Sequence, residues 1–204
     1  MTKLLRIGVL VSGSGTNLQS IMDRIEDGSL SAEIACVISS NSGAFALERA
    51  RKHGIPALHV DHRNFHGREE YDAVLVETLH EHKVELVVLA GFMRIITPIL
   101  INAFPHAIMN IHPALLPAFP GLHAQRQALS YGVKVSGCTV HFVDAGTDTG
   151  PIILQNTVPV MECDTEEALS ARIQIEEHRA YPQAIKLFAE GRLKVDGRRV
   201  IVSP

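Results

Sequence analysis

Asn110 and His112 stand two residues apart at the end of an apolar run, Ile108-Met109-Asn110-Ile111-His112, that stops at Pro113, Pro117, Pro120 and Gly121. A buried strand ends at such a point, because proline lacks the amide proton that a sheet ladder needs. Side chains at i and i+2 on a strand share a face. An asparagine amide there can donate a hydrogen bond, and a histidine can move a proton. Ligands of open α/β sheets gather at this edge of the strands. A core histidine capping a loop is the alternative, and the local pattern leaves both open.

A second stretch, Val140-His141-Phe142-Val143-Asp144-Ala145-Gly146-Thr147-Asp148-Thr149-Gly150-Pro151, puts Asp144 and Asp148 in a polar loop between two apolar runs. Aspartates in such loops often serve only as turn formers. If the loop faces His112, one carboxylate would hold the imidazole protonated and raise its pKa. A cationic histidine can stabilise a developing oxyanion and then release a proton.

A third stretch, Ser12-Gly13-Ser14-Gly15-Thr16-Asn17, follows a strand-like run and opens a helix-like one, a usual place to hold a phosphate on free amides. No Gly-Lys-Ser/Thr follows, so it is not a P-loop. Leu18 stands where a dinucleotide fingerprint has its third glycine, and Ser39-Ser40-Asn41 offers no carboxylate for a ribose. A single phosphate fits better than a dinucleotide, and a plain glycine turn is the other reading. His59, His62 and His66 with Asp61 lie in a polar loop and not on a helix, and His80 and His82 do not face each other, so no metal is expected. Glu176, Glu177, His178 and Arg179 read as a solvated helix face, on which Gln174 and Glu177 share a side. Arg68 and Arg94, each beside the end of an element, could hold a carboxylate or be solvated.

The elements that must position these residues alternate. Strands are expected at Leu4–Val11, Ile34–Ile38, Ile55–Val60 and Leu86–Ala90. Helices are expected from Leu18 to Ile25 and at Ala44–His53, Glu69–Glu81 and Pro98–Phe104. Such alternation predicts an α/β fold, a doubly wound, Rossmann-like and mostly parallel sheet with helices on both faces. After Gly121 the pattern changes. A short helix at Ala124–Tyr131 precedes strands Val135–Val143 and Ile152–Val160, which have no helix between them and so form an antiparallel C-terminal extension. A long helix runs from Thr165 to Glu190, capped by Asp164 or Thr165. Leu193–Ile201 reads as a hairpin turning at Asp196-Gly197.

The 204 residues suffice for one sizeable core. Apolar residues are 46% and charged ones 20%, with 19 basic against 22 acidic, a net charge of −3. That balance supplies no basic field for nucleic acid. Cys36, Cys138 and Cys163 are odd in number and far apart, which suggests reduced thiols and a cytoplasmic location. The N-terminal Met1-Thr2-Lys3-Leu4-Leu5-Arg6 leads into a short apolar run that reads as a strand and not a signal peptide, and no apolar stretch is long enough to span a bilayer.

Together, Asn110-Ile-His112-Pro, Leu115-Leu-Pro117, Gly121 and Asp148-x-Gly150-Pro151 resemble the 10-formyltetrahydrofolate formyltransferase family. Ser12-Gly-Ser-Gly-Thr-Asn-Leu-Gln, Leu89-Ala-Gly-Phe-Met-Arg-Ile, Pro120-Gly-Leu-His and Glu177-His178 support the match, which runs from Ile7 to about Gly191. The resemblance implies one formyltransferase domain over residues 1–204, with a nucleotide-binding half (1–100) and a catalytic, folate-binding half (101–204). It implies a catalytic triad of Asn110, His112 and Asp148. Gly15, Thr16 and Asn17 would hold the phosphate of a ribonucleotide, with Gln174 and Glu177 near its ribose. Arg68, Met93, Arg94, Ile95, Ile96, Asn110 and Asp144 would contact folate. The implied reaction moves the formyl group of the co-substrate 10-formyltetrahydrofolate to the amine of 5-phosphoribosylglycinamide in purine (IMP) biosynthesis. It calls for no metal, ATP, nucleic acid or membrane, and a homodimer is an assembly the resemblance allows. Ala114 and Ala118 depart from the serine and basic residue common there, and Pro120 occupies a variable position. Methionyl-tRNA formyltransferase shares the catalytic set but normally adds a C-terminal barrel, for which no residues are expected here. Formyltetrahydrofolate deformylase shares it too and normally adds an N-terminal domain, whereas the first strand is expected at about residue 4. A non-catalytic folate- or nucleotide-binding module would not need all three triad residues.

Overall fold

In the first strand, β1 (Leu5–Val11), Ile7, Val9, Leu10 and Val11 are all fully buried. A strand without a wet face is covered on both sides, as in a parallel sheet flanked by helices. The computed structural model describes residues 3–203. Met1 and Thr2, which begin the stretch weighed as a leader, and Pro204 lie outside them. The chain divides into two compact units, one ending at Met109 and the other starting at Asn110.

In the first unit, β1 leads into α1 (Thr16–Glu26), β2 (Ala32–Ser39), α2 (Phe45–Lys52) and β3 (Ala57–His59). A 3₁₀ turn at His62–Asn64, α3 (Arg68–Glu81), β4 (Leu86–Leu89) and α4 (Pro98–Ala103) complete it. The strands run in the order β3-β2-β1-β4, and every pairing among them is parallel. The short β3 replaces the longer strand expected at Ile55–Val60: Ala57, Leu58 and His59 stand in register with β2, while Pro56 and Val60 add one backbone bond each at its ends. A Cβ on Gly8 would meet the Leu79 and Val84 side chains at 2.5 and 2.9 Å, so the end of α3 lies directly on β1.

The second unit takes in the end of β5 (Ile108–His112), then α5 (Ala124–Tyr131), β6 (Val135–Phe142), β7 (Ile152–Pro159), α6 (Glu166–Ala189), β8 (Leu193–Asp196) and β9 (Arg199–Val202). β5 lies beside β6, and β6 pairs antiparallel with β7, as their direct connection requires. β8 and β9 form the expected hairpin, with Gly197 in the left-handed region at φ 57°. Helix α6 packs on β6 and β7 through Leu169, Ile173, Ala180 and Ile185. Its cap is Thr165, whose hydroxyl accepts the Ala168 amide at 3.2 Å. Asp164 instead takes a two-pronged bond from Arg172, 2.7 and 2.9 Å, which holds its carboxyl down at about 2.

Candidate active site

The end of β5 sets the site. Ile108, Met109 and Ile111 are buried, and the alternation of the strand presents Asn110 and His112 together. His112 is only 4% exposed. Its Nδ1 lies 3.3 Å from Asp148 Oδ2, and its Nε2 lies 2.8 Å from the carbonyl of Phe119. Both ring nitrogens therefore face acceptors. An imidazole that donates from both is the cation.

Asp148 is held from several sides. Its Oδ2 also accepts the Gly121 amide at 2.8 Å, and its Oδ1 lies 3.5 Å from Asn110 Nδ2. Its backbone is left-handed, φ 54°, a conformation rare outside glycine and somewhat better tolerated by Asp and Asn. The surrounding loop enforces it. A Cβ on Gly150 would sit 1.7 Å from the Phe142 carbonyl, so only glycine lets the chain return to the sheet there.

The proline-rich loop from Pro113 to Gly121 supplies two of these contacts, and it is tied down by a polar knot. The buried Thr139 hydroxyl donates to the Ala114 carbonyl at 2.7 Å and accepts the Leu116 amide at 3.0 Å. Gln155 Nε2 donates to the Leu116 carbonyl at 2.9 Å and to Thr139 Oγ1 at 3.0 Å. The Leu116-Pro117 peptide is cis. Ala114 is fully buried, so its methyl adds no hydroxyl to be satisfied, and Ala118 is exposed.

One member of the cluster had no assigned role in the sequence. His141 is 2% exposed and donates from Nδ1 to the Phe142 carbonyl at 2.8 Å. Its Nε2 then accepts from Asn110 Nδ2 at 3.2 Å, with Asp148 Oδ1 3.8 Å away. Burial holds its pKa below the ordinary histidine value, which keeps Nε2 free to accept. The signal was present, since His141 lies on the strand before the Asp148 loop, but an isolated histidine in an apolar run does not reveal its partner. Burial pushes the thiols of Cys36 and Cys138 up to about 12, so neither is a nucleophile at neutral pH.

Residues 5–185 match the model of the formyl transferase family. The chain belongs to that family. It is 43% identical over 203 residues to phosphoribosylglycinamide formyltransferase of Escherichia coli, covering 96% of each chain. It is 58% identical to a solved glycinamide ribonucleotide transformylase 1 from Symbiobacterium toebii, covering 98% of this chain and 95% of that one with a TM-score of 0.98. A trifunctional purine biosynthetic protein of Drosophila pseudoobscura is 49% identical over 191 residues, and the chain spans only 14% of that protein's length. A solved formyltetrahydrofolate deformylase from Pseudomonas syringae is 29% identical, covering 99% of this chain and 67% of that one with a TM-score of 0.91.

As a member of that family, the chain places its other expected residues as follows. Gly15, at φ 72°, precedes α1, and a Cβ there would meet Ala46 at 2.6 Å. Thr16 and Asn17 open the helix, where the first amides have no intrahelical acceptor. Arg68 is the first residue of α3. Met93 and Ile95 are 69% and 62% exposed in an irregular segment, and Arg94 lies over the Tyr71 ring. Asp144 accepts the Gly146 amide at 3.1 Å and the Thr149 hydroxyl at 2.6 Å, a turn-forming role. Gln174 is exposed and Glu177 half-buried on α6. Among the described residues no group of three or more potential ligands could hold a metal, and no helix is long and apolar enough to cross a membrane.

Proposed function

We propose that this chain transfers the formyl group of 10-formyltetrahydrofolate to the amine of 5-phosphoribosylglycinamide, a step of purine biosynthesis. The observation that carries the proposal is the buried cluster in which His112 meets Asp148 with Asn110 beside them. Likeness to the Escherichia coli phosphoribosylglycinamide formyltransferase along nearly the whole of both chains supports the acceptor, and likeness to the formyltetrahydrofolate deformylase supports a formylated folate as donor. The three unpaired cysteines fit a reducing, cytoplasmic compartment.

In this mechanism the amine attacks the formyl carbon and a tetrahedral oxyanion forms. The Asn110 amide and the His112 imidazolium donate to it. The Phe119 carbonyl holds the same His112 nitrogen, so a substrate oxygen must compete with it or turn the ring. Asp148 fixes the ring from Nδ1 and balances its charge, the part a carboxylate plays beside a catalytic imidazole. As the tetrahedral carbon collapses, the bond from carbon to N10 breaks, N10 takes a proton, and the amine loses one. No covalent enzyme intermediate and no ATP enter the balance. Gly15, Thr16 and Asn17 would hold the ribonucleotide's phosphate, with Gln174 and Glu177 near its ribose. Arg68, Met93 to Ile96 and Asp144 would contact folate.

The test incubates the protein with 10-formyltetrahydrofolate and follows release of tetrahydrofolate with and without 5-phosphoribosylglycinamide. Release that requires the ribonucleotide and yields the formylated amide is expected. Release at the same rate without it would transfer the chain to the deformylase reading.

A further inference from the structure

Tyr71 and Asp72 are consecutive on α3, and both are buried, 1% and 2% exposed. An inward aspartate is uncommon and needs a partner. The partner here is a backbone amide: Asp72 Oδ2 accepts the N–H of Thr97 at 2.5 Å. Burial pushes the Asp72 carboxyl above the usual range, while the bonds from Thr97 and the charge of Arg94 pull the other way. Thr97 is itself 3% exposed and is the cap residue before Pro98 at the start of α4. It closes the irregular segment that begins at Met93.

Two further contacts hold that segment. The Met93 amide donates to Ser12 Oγ at 3.1 Å. The Arg94 guanidinium lies 5.3 Å from the centre of the Tyr71 ring. The Tyr71 hydroxyl is buried with no hydrogen-bond partner among the described residues, so its ring, packed edge-on by Phe65, is what serves Arg94. A stretch with no ladder or helix of its own is thus fixed at three points, and it turns Met93 and Ile95 outward.

We infer that Asp72 is a positioning residue for folate recognition: through the Thr97 amide it sets the shape in which Met93 to Ile96 meet 10-formyltetrahydrofolate. This rests on the proposed function, in which that segment contacts folate. Asp72 touches neither substrate. Its loss should act on folate affinity and spare the ribonucleotide.

The experiment measures kcat and both KM values for the wild type, Asp72→Ala and Asp72→Asn. Asp72→Ala should raise the KM for 10-formyltetrahydrofolate about tenfold, the loss of roughly 1.4 kcal/mol of binding. The KM for 5-phosphoribosylglycinamide and kcat at saturating folate should stay within about twofold. Asp72→Asn keeps an acceptor for Thr97 and should restore most of the folate KM. Equal changes in both KM values, or no change, overturn the inference. If Asp72→Ala does not fold, Tyr71→Leu against Tyr71→Phe decides it. Leucine removes the ring beneath Arg94 and should raise the folate KM about threefold, a modest share of one cation–π contact. Phenylalanine keeps the ring and should change nothing. Equal folate KM values in those two variants sink the inference. A wild type that shows no saturable dependence on 10-formyltetrahydrofolate would instead remove the functional proposal and this inference with it.

Discussion

Around His112 the polar atoms already have protein partners. Asp148 takes bonds from Gly121 and lies against His112 and Asn110, while Asn110 is held by a neutral His141. At the loop before α1 the protein instead exposes Gly13 and Ser14, and at Met93–Ile96 it turns the apolar side chains of Met93 and Ile95 outward. A group that must act on a transition state benefits from being fixed beforehand, because none of the energy of reaction then goes into moving it. A group that only grips a ligand needs access first, and its own anchoring can come from beneath, as with Asp72 and Thr97. Changes in the first region should therefore appear in kcat and changes in the second in KM.

The sharpest way to break that contrast is at Asp148. Asp148→Ala frees the His112 ring and leaves the Gly121 amide without its acceptor. We expect kcat to fall by about 10²–10⁴-fold, the range of a lost acid–base or charge-stabilising group, with both KM values nearly unchanged. A rise in KM at constant kcat would show that Asp148 grips a substrate and does not organise the catalytic ring. His112→Ala should fall in the same range.

His141→Leu probes the second layer of the same cluster. It removes the acceptor that aligns the Asn110 amide, worth about 1–2 kcal/mol and so roughly a tenfold drop in kcat. His141→Gln offers an acceptor again and should recover part of it. The histidine also predicts a pH effect. Its pKa is depressed in the folded protein, so its contribution to stability is complete above the unfolded value near 6.5 and is lost as pH falls through the lower folded value. Thermal denaturation of wild type and His141→Leu across pH 7 to 4 should show this acid-sensitive component only in the wild type.

In the gripping region, Gly15→Ala and Gly13→Ala form a matched pair. At Gly15 a Cβ meets both φ 72° and the Ala46 side chain at 2.6 Å, whereas at Gly13 nothing lies within 4 Å. Gly15→Ala should raise the KM for 5-phosphoribosylglycinamide about tenfold, roughly 1.4 kcal/mol, with kcat kept. Gly13→Ala should be close to wild type. Equal effects would mean that the loop does not depend on the shape Gly15 gives it.

What could be read in advance follows the same division. The alternation of Leu4–Val11, Ile34–Ile38 and Leu86–Ala90 with helical runs exposed the parallel sheet, because strands buried on both faces carry continuous apolar runs. The spacing of Asn110 and His112 placed them on one face. That His112 meets Asp148 came only as an implication of family resemblance, since local pattern says nothing about which distant loop closes on a strand. His141 and Asp72 stayed silent for a related reason. Each is a polar residue whose role depends on one partner, the Asn110 amide or the Thr97 N–H, far away in the sequence.

The smallest expected effect tests the cost of anchoring from beneath. The Asp72 carboxyl is raised in the folded protein, chiefly by burial. Its contribution to stability is therefore complete below the unfolded value near 3.9 and declines as pH rises through the folded value. At pH 7 the ionised carboxylate is a burden that the Thr97 amide only partly offsets. Asp72→Asn is neutral at every pH and nearly the same shape. Its melting temperature relative to wild type should rise from pH 4 to pH 7. A difference that stays flat with pH would mean that Asp72 is solvated well enough to titrate normally. A fall towards pH 7 would mean that the ionised carboxylate strengthens the Thr97 bond by more than its burial costs.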